Sequence, residues 1–216
     1  MHLITAISSF SAFLPAIAAI FFYRRTPKGY FPLFLMFWIG VFNEMLSHYL
    51  NQAIKSSAVN GNIYVLIEGL LLLWLFKNWG RLNNKYINLP VLAALFLITW
   101  GIDNFILNSV FQINSLYRCV YAFTIVFLAL DQINFIVATH RKSILKESSF
   151  LLSVGFVMYF FYKVLIESFY LFDFGVSKIL IINLYKIMQI VNLVCNIIFT
   201  IAILWIKKRQ TFTLAY

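Results

Sequence analysis

Glu44 and His48 stand four residues apart in the stretch "GVFNEMLSHYLNQ", residues 40–52, a spacing that puts both on one face of a helix. A carboxylate and an imidazole so placed are potential metal donors, with Glu68 or Asp103 available to complete the shell. The chain has only three histidines, however, and His2 and His140 are expected outside the bundle, at its opposite ends. One histidine with scattered carboxylates is a poor metal pattern, so no metal is expected; Glu44, His48 and Glu68 are the candidates if one binds.

Other residue types point to binding chemistry. Arg118 has no partner on its own helix face, and a planar guanidinium aimed into a bundle is suited to a carboxylate from a neighbouring helix or from a ligand. Lys163 and Glu167, four apart on one face, are placed to neutralise one another. Lys186, near the start of the last apolar run, raises Schiff-base chemistry, with Glu68 or Asp103 as counter-ion. The preceding run, "FLLSVGFVMYFFYKVLIESFYLF", lacks the tryptophan and proline pattern of a microbial rhodopsin pocket. No Gly-rich phosphate loop, G-x-S-x-G elbow or H-E-x-x-H is present, so no cofactor and no soluble-enzyme chemistry is expected.

The elements that carry these groups are oily helices. Hydrophobic residues make up 62% of the 216 and charged residues only 11%, and the mean hydropathy is +0.88; soluble domains do not have this composition. Apolar runs near the ~20 residues that span a bilayer as a helix recur between short charged loops. Seven are read, at 3–23, 30–50, 61–76, 87–107, 113–139, 149–172 and 179–206, making one all-α transmembrane domain. The net charge of +10 falls in every second loop: Arg24, Arg25 and Lys28; Lys77, Arg81 and Lys85; Arg141, Lys142 and Lys146; Lys207, Lys208 and Arg209. By the positive-inside rule the N-terminus is outside and the C-terminus cytoplasmic, in a bacterial inner membrane. Basic loops beside lipid headgroups account for the charge, so nucleic acid is not an expected partner.

Polar residues lie in stripes on these helices. Asn43, Glu44, Ser47, His48 and Asn51 form one; Thr99, Asp103, Asn104 and Asn108 another; Asn183, Lys186, Gln189, Asn192, Asn196 and Thr200 run along the last span. Glu44, His48, Glu68, Asp103, Arg118, Lys163, Glu167 and Lys186 all fall in the outer half of the membrane, on six helices; Asp131 lies nearer the cytoplasm. Charges at such depth cost at least ~2.5 kcal/mol if left facing lipid, so the stripes are expected to face inward. They form either a self-paired polar core or a pocket open to the outside. Asn43 and Tyr64 lie close enough to the charged layer to add polar groups to it.

The N-terminal run has its basic residues after it, opposite to a cleaved signal peptide, and is expected to stay as the first helix. Cys119 and Cys195 fall inside spans as apolar filler. No loop has room for a soluble domain, and only "QTFTLAY" follows the last basic cluster. A pattern N-x-Y-x-x-x-[EQ] occurs at Asn62, Tyr64 and Glu68 and again at Asn183, Tyr185 and Gln189, which fits a parallel repeat of three helices, a linker helix and three more.

The stretches "NIYVLIEGLLLLWLFKNW", "FLLSVGFVMYFFYKVLIESF" and "LYKIMQIVNLVCNIIFTIAIL" resemble a group of short, uncharacterised bacterial seven-helix membrane proteins, some of them associated with histidine-kinase systems. The resemblance implies a sensory or accessory role, with a membrane or cytoplasmic signalling partner. In helix count and orientation the chain is also similar to ceramidase-type zinc hydrolases, without their three histidines, and to three-plus-one-plus-three sugar transporters, without their proline-glutamine signature. The expectation is therefore a receptor-like or accessory protein that holds a small polar or zwitterionic ligand. Arg118, Lys163 and Lys186 would face its anionic group, and Glu44, Glu68 and Asp103 its cationic one. Asn43, His48, Tyr64 and Glu167 would complete the wall. A small transporter or proton-coupled carrier, with Asp131 on its inner path, is the alternative; an intramembrane metal-dependent hydrolase is the third reading.

Overall fold

The computed structural model describes residues 2–83, 88–139, 144–172 and 178–207. Lys85, His140, Arg141, Lys142, Lys208 and Arg209 of the charge pattern, and the tail after them, lie outside these. The described residues are helical, with no strand: α1 (His2–Ser11), α2 (Phe13–Phe22), α3 (Phe31–Ala53), α4 (Ala58–Asn78), α5 (Leu89–Gly101), α6 (Ser115–Thr139), α7 (Ser148–Phe172) and α8 (Lys178–Leu204). Seven stretches are long and apolar enough to cross a membrane: Ile7–Arg25, Lys28–Ala53, Ala58–Asn78, Leu89–Leu107, Ser115–Thr139, Ser148–Phe172 and Ile182–Leu204. The protein is thus built as a multi-pass membrane protein.

Local sequence explains the helix ends and breaks. Pro15 has no N–H for the Ser11 carbonyl and crowds it, so the first span is interrupted at Ala12 and continues as α2. The Ser11 hydroxyl turns back to the Ser8 carbonyl at 2.6 Å. Pro32 and Pro90 open α3 and α5, where a missing N–H costs nothing; Asn88 caps α5 by accepting the Val91 N–H at 3.1 Å. α4 stops in a Schellman turn, with Gly80 at φ +78°. The Gly80 N–H bonds the Lys77 carbonyl and the Arg81 N–H the Phe76 carbonyl. The span that begins as α5 ends in a π-helical segment, Ile102–Leu107, which buries Asp103 and Asn104.

The helices pack in a ring: α1 and α2 against α8, α2 against α3, α3 against α4, α4 against α6, α6 against α7 and α7 against α8, with α5 outside on α4 and α6. Small residues allow the closest approaches. A Cβ on Gly155 of α7 would meet the Phe199 ring of α8 at 2.5 Å, and Cys195 one turn away donates to the Gly155 carbonyl. One end of the ring carries Arg24, Arg25, Lys28, Lys77, Arg81 and Lys207 and is called the basic end. In the half nearer that end the buried residues are mainly apolar, among them Leu72, Leu75 and Phe76 of α4, Ile125 and Ala129 of α6, and Leu152 of α7, with Gln132 of α6 and Ser148, Ser149 and Ser153 of α7 as buried polar groups.

Candidate functional site

The ionisable groups of the interior sort into two tiers shared by α4, α6 and α7. In the tier nearer the opposite end, Arg118 of α6 meets Glu167 of α7 at 3.8 Å and donates to the Asn62 side-chain oxygen of α4 at 3.2 Å. Glu167 accepts the Ser115 hydroxyl at 2.6 Å. Asn62 in turn donates to the carbonyls of Val110 and Gln112, which fastens the α5–α6 connection to α4. About one turn deeper, Lys163 of α7 meets Glu68 of α4 at 3.4 Å. Glu68 also accepts the hydroxyls of Tyr121 at 2.7 Å and Tyr64 at 3.2 Å, and Lys163 is hydrogen-bonded to the Tyr121 oxygen. Glu68, Lys163 and Glu167 are buried.

Lys163 and Glu167 therefore do not neutralise each other along α7, although their spacing permits it. Each pairs across the helix interface instead. With lysine on the N-terminal side the intrahelical pair has the poorer orientation, and the side chains of Glu68 and Arg118 stand closer to complete the coordination. Removing one member of such a buried pair leaves an uncompensated charge, at a cost of about 3–5 kcal/mol.

Asp103 belongs to neither tier. Fully buried in the π-helical segment, it accepts the Tyr117 N–H in the first turn of α6 at 2.8 Å and the Asn108 side chain at 2.9 Å. A carboxylate against the positive end of α6 is both cap and counter-charge. Asn104 beside it binds the Asn114 side chain at 3.0 Å and the Trp100 carbonyl at 2.9 Å; diverting that carbonyl fits the loosened helical turn. The thread that ties α5 to α6 thus consumes two residues of the polar stripe.

On the other side of the deeper tier lies a cavity of about 130 Å³ between α3, α4, α7 and α8, floored by the break at Ala12. Glu44 and Glu68 both line it, with Asn43, Tyr64 and Tyr159 and the α8 amides of Asn192 and Asn196. Aromatic rings of Phe37, Phe156, Phe160 and Phe199 supply the apolar part. Glu44 is exposed as well as lining, so the cavity communicates with the surface past its carboxylate. Asn60 clamps the rim by donating to Asn43 at 2.7 Å and Ser47 at 2.8 Å. Asn196 donates to Ser11 at 2.8 Å and Asn192 to Ser8 at 3.1 Å, fixing the broken first span to α8 at the cavity floor.

Of the residues expected to form one site, the structure brings Asn43, Glu44, Tyr64 and Glu68 to the cavity and sets Lys163 behind Glu68. Arg118 and Glu167 stand in the neighbouring tier, and Asp103 is apart. His48 is exposed and paired with Gln52 at 2.9 Å, and Lys186 is exposed with Asn183 as its neighbour at 3.3 Å. Among the described residues no three His, Cys, Asp or Glu side chains gather as a metal shell requires. The repeat pattern lands differently in its two copies: Asn62 is buried and Tyr64 bonds Glu68, whereas Asn183 and Tyr185 are exposed. Asp131 is exposed and paired with Arg81 at 3.5 Å near the basic end. Tyr121 is the residue the stripes did not single out, although it follows Arg118 by three on α6 and so shares its face. No protein-family model, curated protein or solved structure matches the chain.

Proposed function

We infer that this is a multi-pass protein of a bacterial inner membrane, oriented with the basic end in the cytoplasm and the N-terminus outside. It acts as a receptor-like or accessory subunit that takes a small ammonium-bearing molecule into the cavity between α3, α4, α7 and α8. The observation that carries the reading is the cavity's charge. Two carboxylates line it; Glu68 has Lys163 behind it, while among the described residues Glu44 has no ion-pair or hydrogen-bond partner. Phe37, Phe156 and Tyr159 line the cavity together with the carboxylates and suit an organic cation, which aromatic quadrupoles attract. The cations assigned to an anionic group, Arg118 and Lys163, are held by the protein's own carboxylates. A ligand whose ammonium group dominates therefore fits better than one held equally at both ends.

The apolar packing of Leu72, Leu75, Phe76 and Leu152 between the cavity and the basic end supports binding and signalling over passage. Occupancy would bias the packing of α3 and α8 around the broken first span, and a partner would read that shift at the basic loops. The test is thermal unfolding of purified protein in detergent with tetramethylammonium, a short primary amine and the neutral isostere of each. Stabilisation by the cations alone, lost in Glu44→Gln, is the expected result. Equal response to charged and neutral probes, or unchanged cation response in Glu44→Gln, would overturn it.

A further inference from the structure

A second concavity, of about 480 Å³, lies at the basic end on the outer surface of the bundle, where the turn between α2 and α3 meets α4. Its chemistry differs from that of the cavity. Arg24 and Lys28 stand on its rim, and its wall is aromatic: Tyr23, Phe31, Phe34 and Trp74. Phe31 packs edge-on against Trp74 with ring centroids 5.9 Å apart, and Tyr23 leans on Phe31 at 6.2 Å. Trp74 is 39% exposed one turn before the end of α4, the level at which amphipathic rings meet headgroups. Among the described residues neither Arg24 nor Lys28 makes an ion pair, unlike Arg81 and Lys207 at the same end. Thr26, buried between the two cations, holds the turn in shape by donating to the Phe22 carbonyl at 2.9 Å.

We propose that this groove is a binding site for an anionic phospholipid, the phosphate seated between Arg24 and Lys28 and the upper acyl chain laid along Phe31 and Trp74. The charge complementarity selects an anionic headgroup, and the continuity of the aromatic wall with the lipid-facing surface selects a lipid over a soluble phosphate. The bound lipid would brace the turn that joins the first span to the second. This site is separate from the ammonium cavity and stands or falls without it.

The experiment reads Trp74 emission in nanodiscs, as the difference between wild type and Trp74→Phe, with phospholipids brominated on the acyl chain. Severalfold stronger quenching by brominated phosphatidylglycerol than by brominated phosphatidylcholine is expected. The selectivity should vanish in Arg24→Gln/Lys28→Gln and persist in Arg25→Gln/Lys77→Gln, which removes the same charge from exposed positions outside the groove. All four substitutions are of exposed side chains, and circular dichroism checks that the variants fold. Equal quenching by the two lipids overturns the proposal, as does equal loss in both double variants, which marks a bulk surface-charge effect. Displacement of the quenching by soluble glycerol phosphate also overturns it, in favour of a soluble phosphate site.

Discussion

The two walls that meet at Glu68 handle polarity in opposite ways. On the α4–α6–α7 side, Lys163, Tyr121, Arg118 and Glu167 pair across helices, and hydroxyls or amides add further bonds, with the buried Arg118 Nε left without one. On the α1–α3–α8 side, the amides and serines hold helix 1 to helix 8, but Glu44 is left to a cavity. Both walls carry stripes with the same helical spacing. A polar stripe in a membrane helix is therefore read correctly only with its neighbours: facing a helix of opposite charge it is an adhesive, and facing a gap it is left open.

The sharpest way to break the contrast is to unbalance the paired wall. Lys163→Met strands Glu68 in the interior and should lower stability by about 3–5 kcal/mol, seen as a large drop in Tm in detergent. Adding Glu68→Gln should recover most of the loss, because the buried charge goes with it; no recovery would mean that Lys163 acts through packing alone. Smaller, at about 1–2 kcal/mol, is the loss expected from Asp103→Ala, which uncaps α6; hydrogen exchange should localise it to the first turn of that helix. On the open wall Glu44→Gln should change Tm by no more than about 0.5 kcal/mol in equivalent stability, since it removes no contact. Its effect should appear only as lost stabilisation by ammonium probes. Least of all, Lys186→Ala should move neither quantity, within about 0.5 kcal/mol; loss of cation binding there would extend the site onto the exposed face of α8.

The seven apolar stretches were legible because length and composition alone define them, and span ends shifted by only a few residues where Pro32, Pro90 and Gly80 set the boundaries. The inward faces of Glu68, Arg118, Lys163 and Glu167 were legible for a similar reason: charge at that depth excludes the lipid side. Partner choice was not. A helical wheel states which face a residue occupies, but not which helix stands opposite, so Lys163 and Glu167 looked like a local pair. Asp103 stood out as a charge, but its role as the cap of α6 was hidden by the π-helical turn, which adds a residue to the helical period. Lys186 looked inward because it shares a stripe with Asn192 and Asn196, yet nearer the end of α8 the same face is open to the surroundings.

The apolar layer beneath the cavity also has an electrical meaning. Glu68 lies midway along α4, and Leu72, Leu75 and Phe76 separate it from the basic end. Those side chains act as an insulator, across which much of a transmembrane voltage would fall. In the proposed orientation a cation settling between Glu44 and Glu68 stays on the outer side of that layer and crosses only the smaller remainder of the field, a gain below about 1 kcal/mol at 100 mV, negative inside. Occupancy would then depend only weakly on the membrane potential and be set chiefly by the ligand concentration outside.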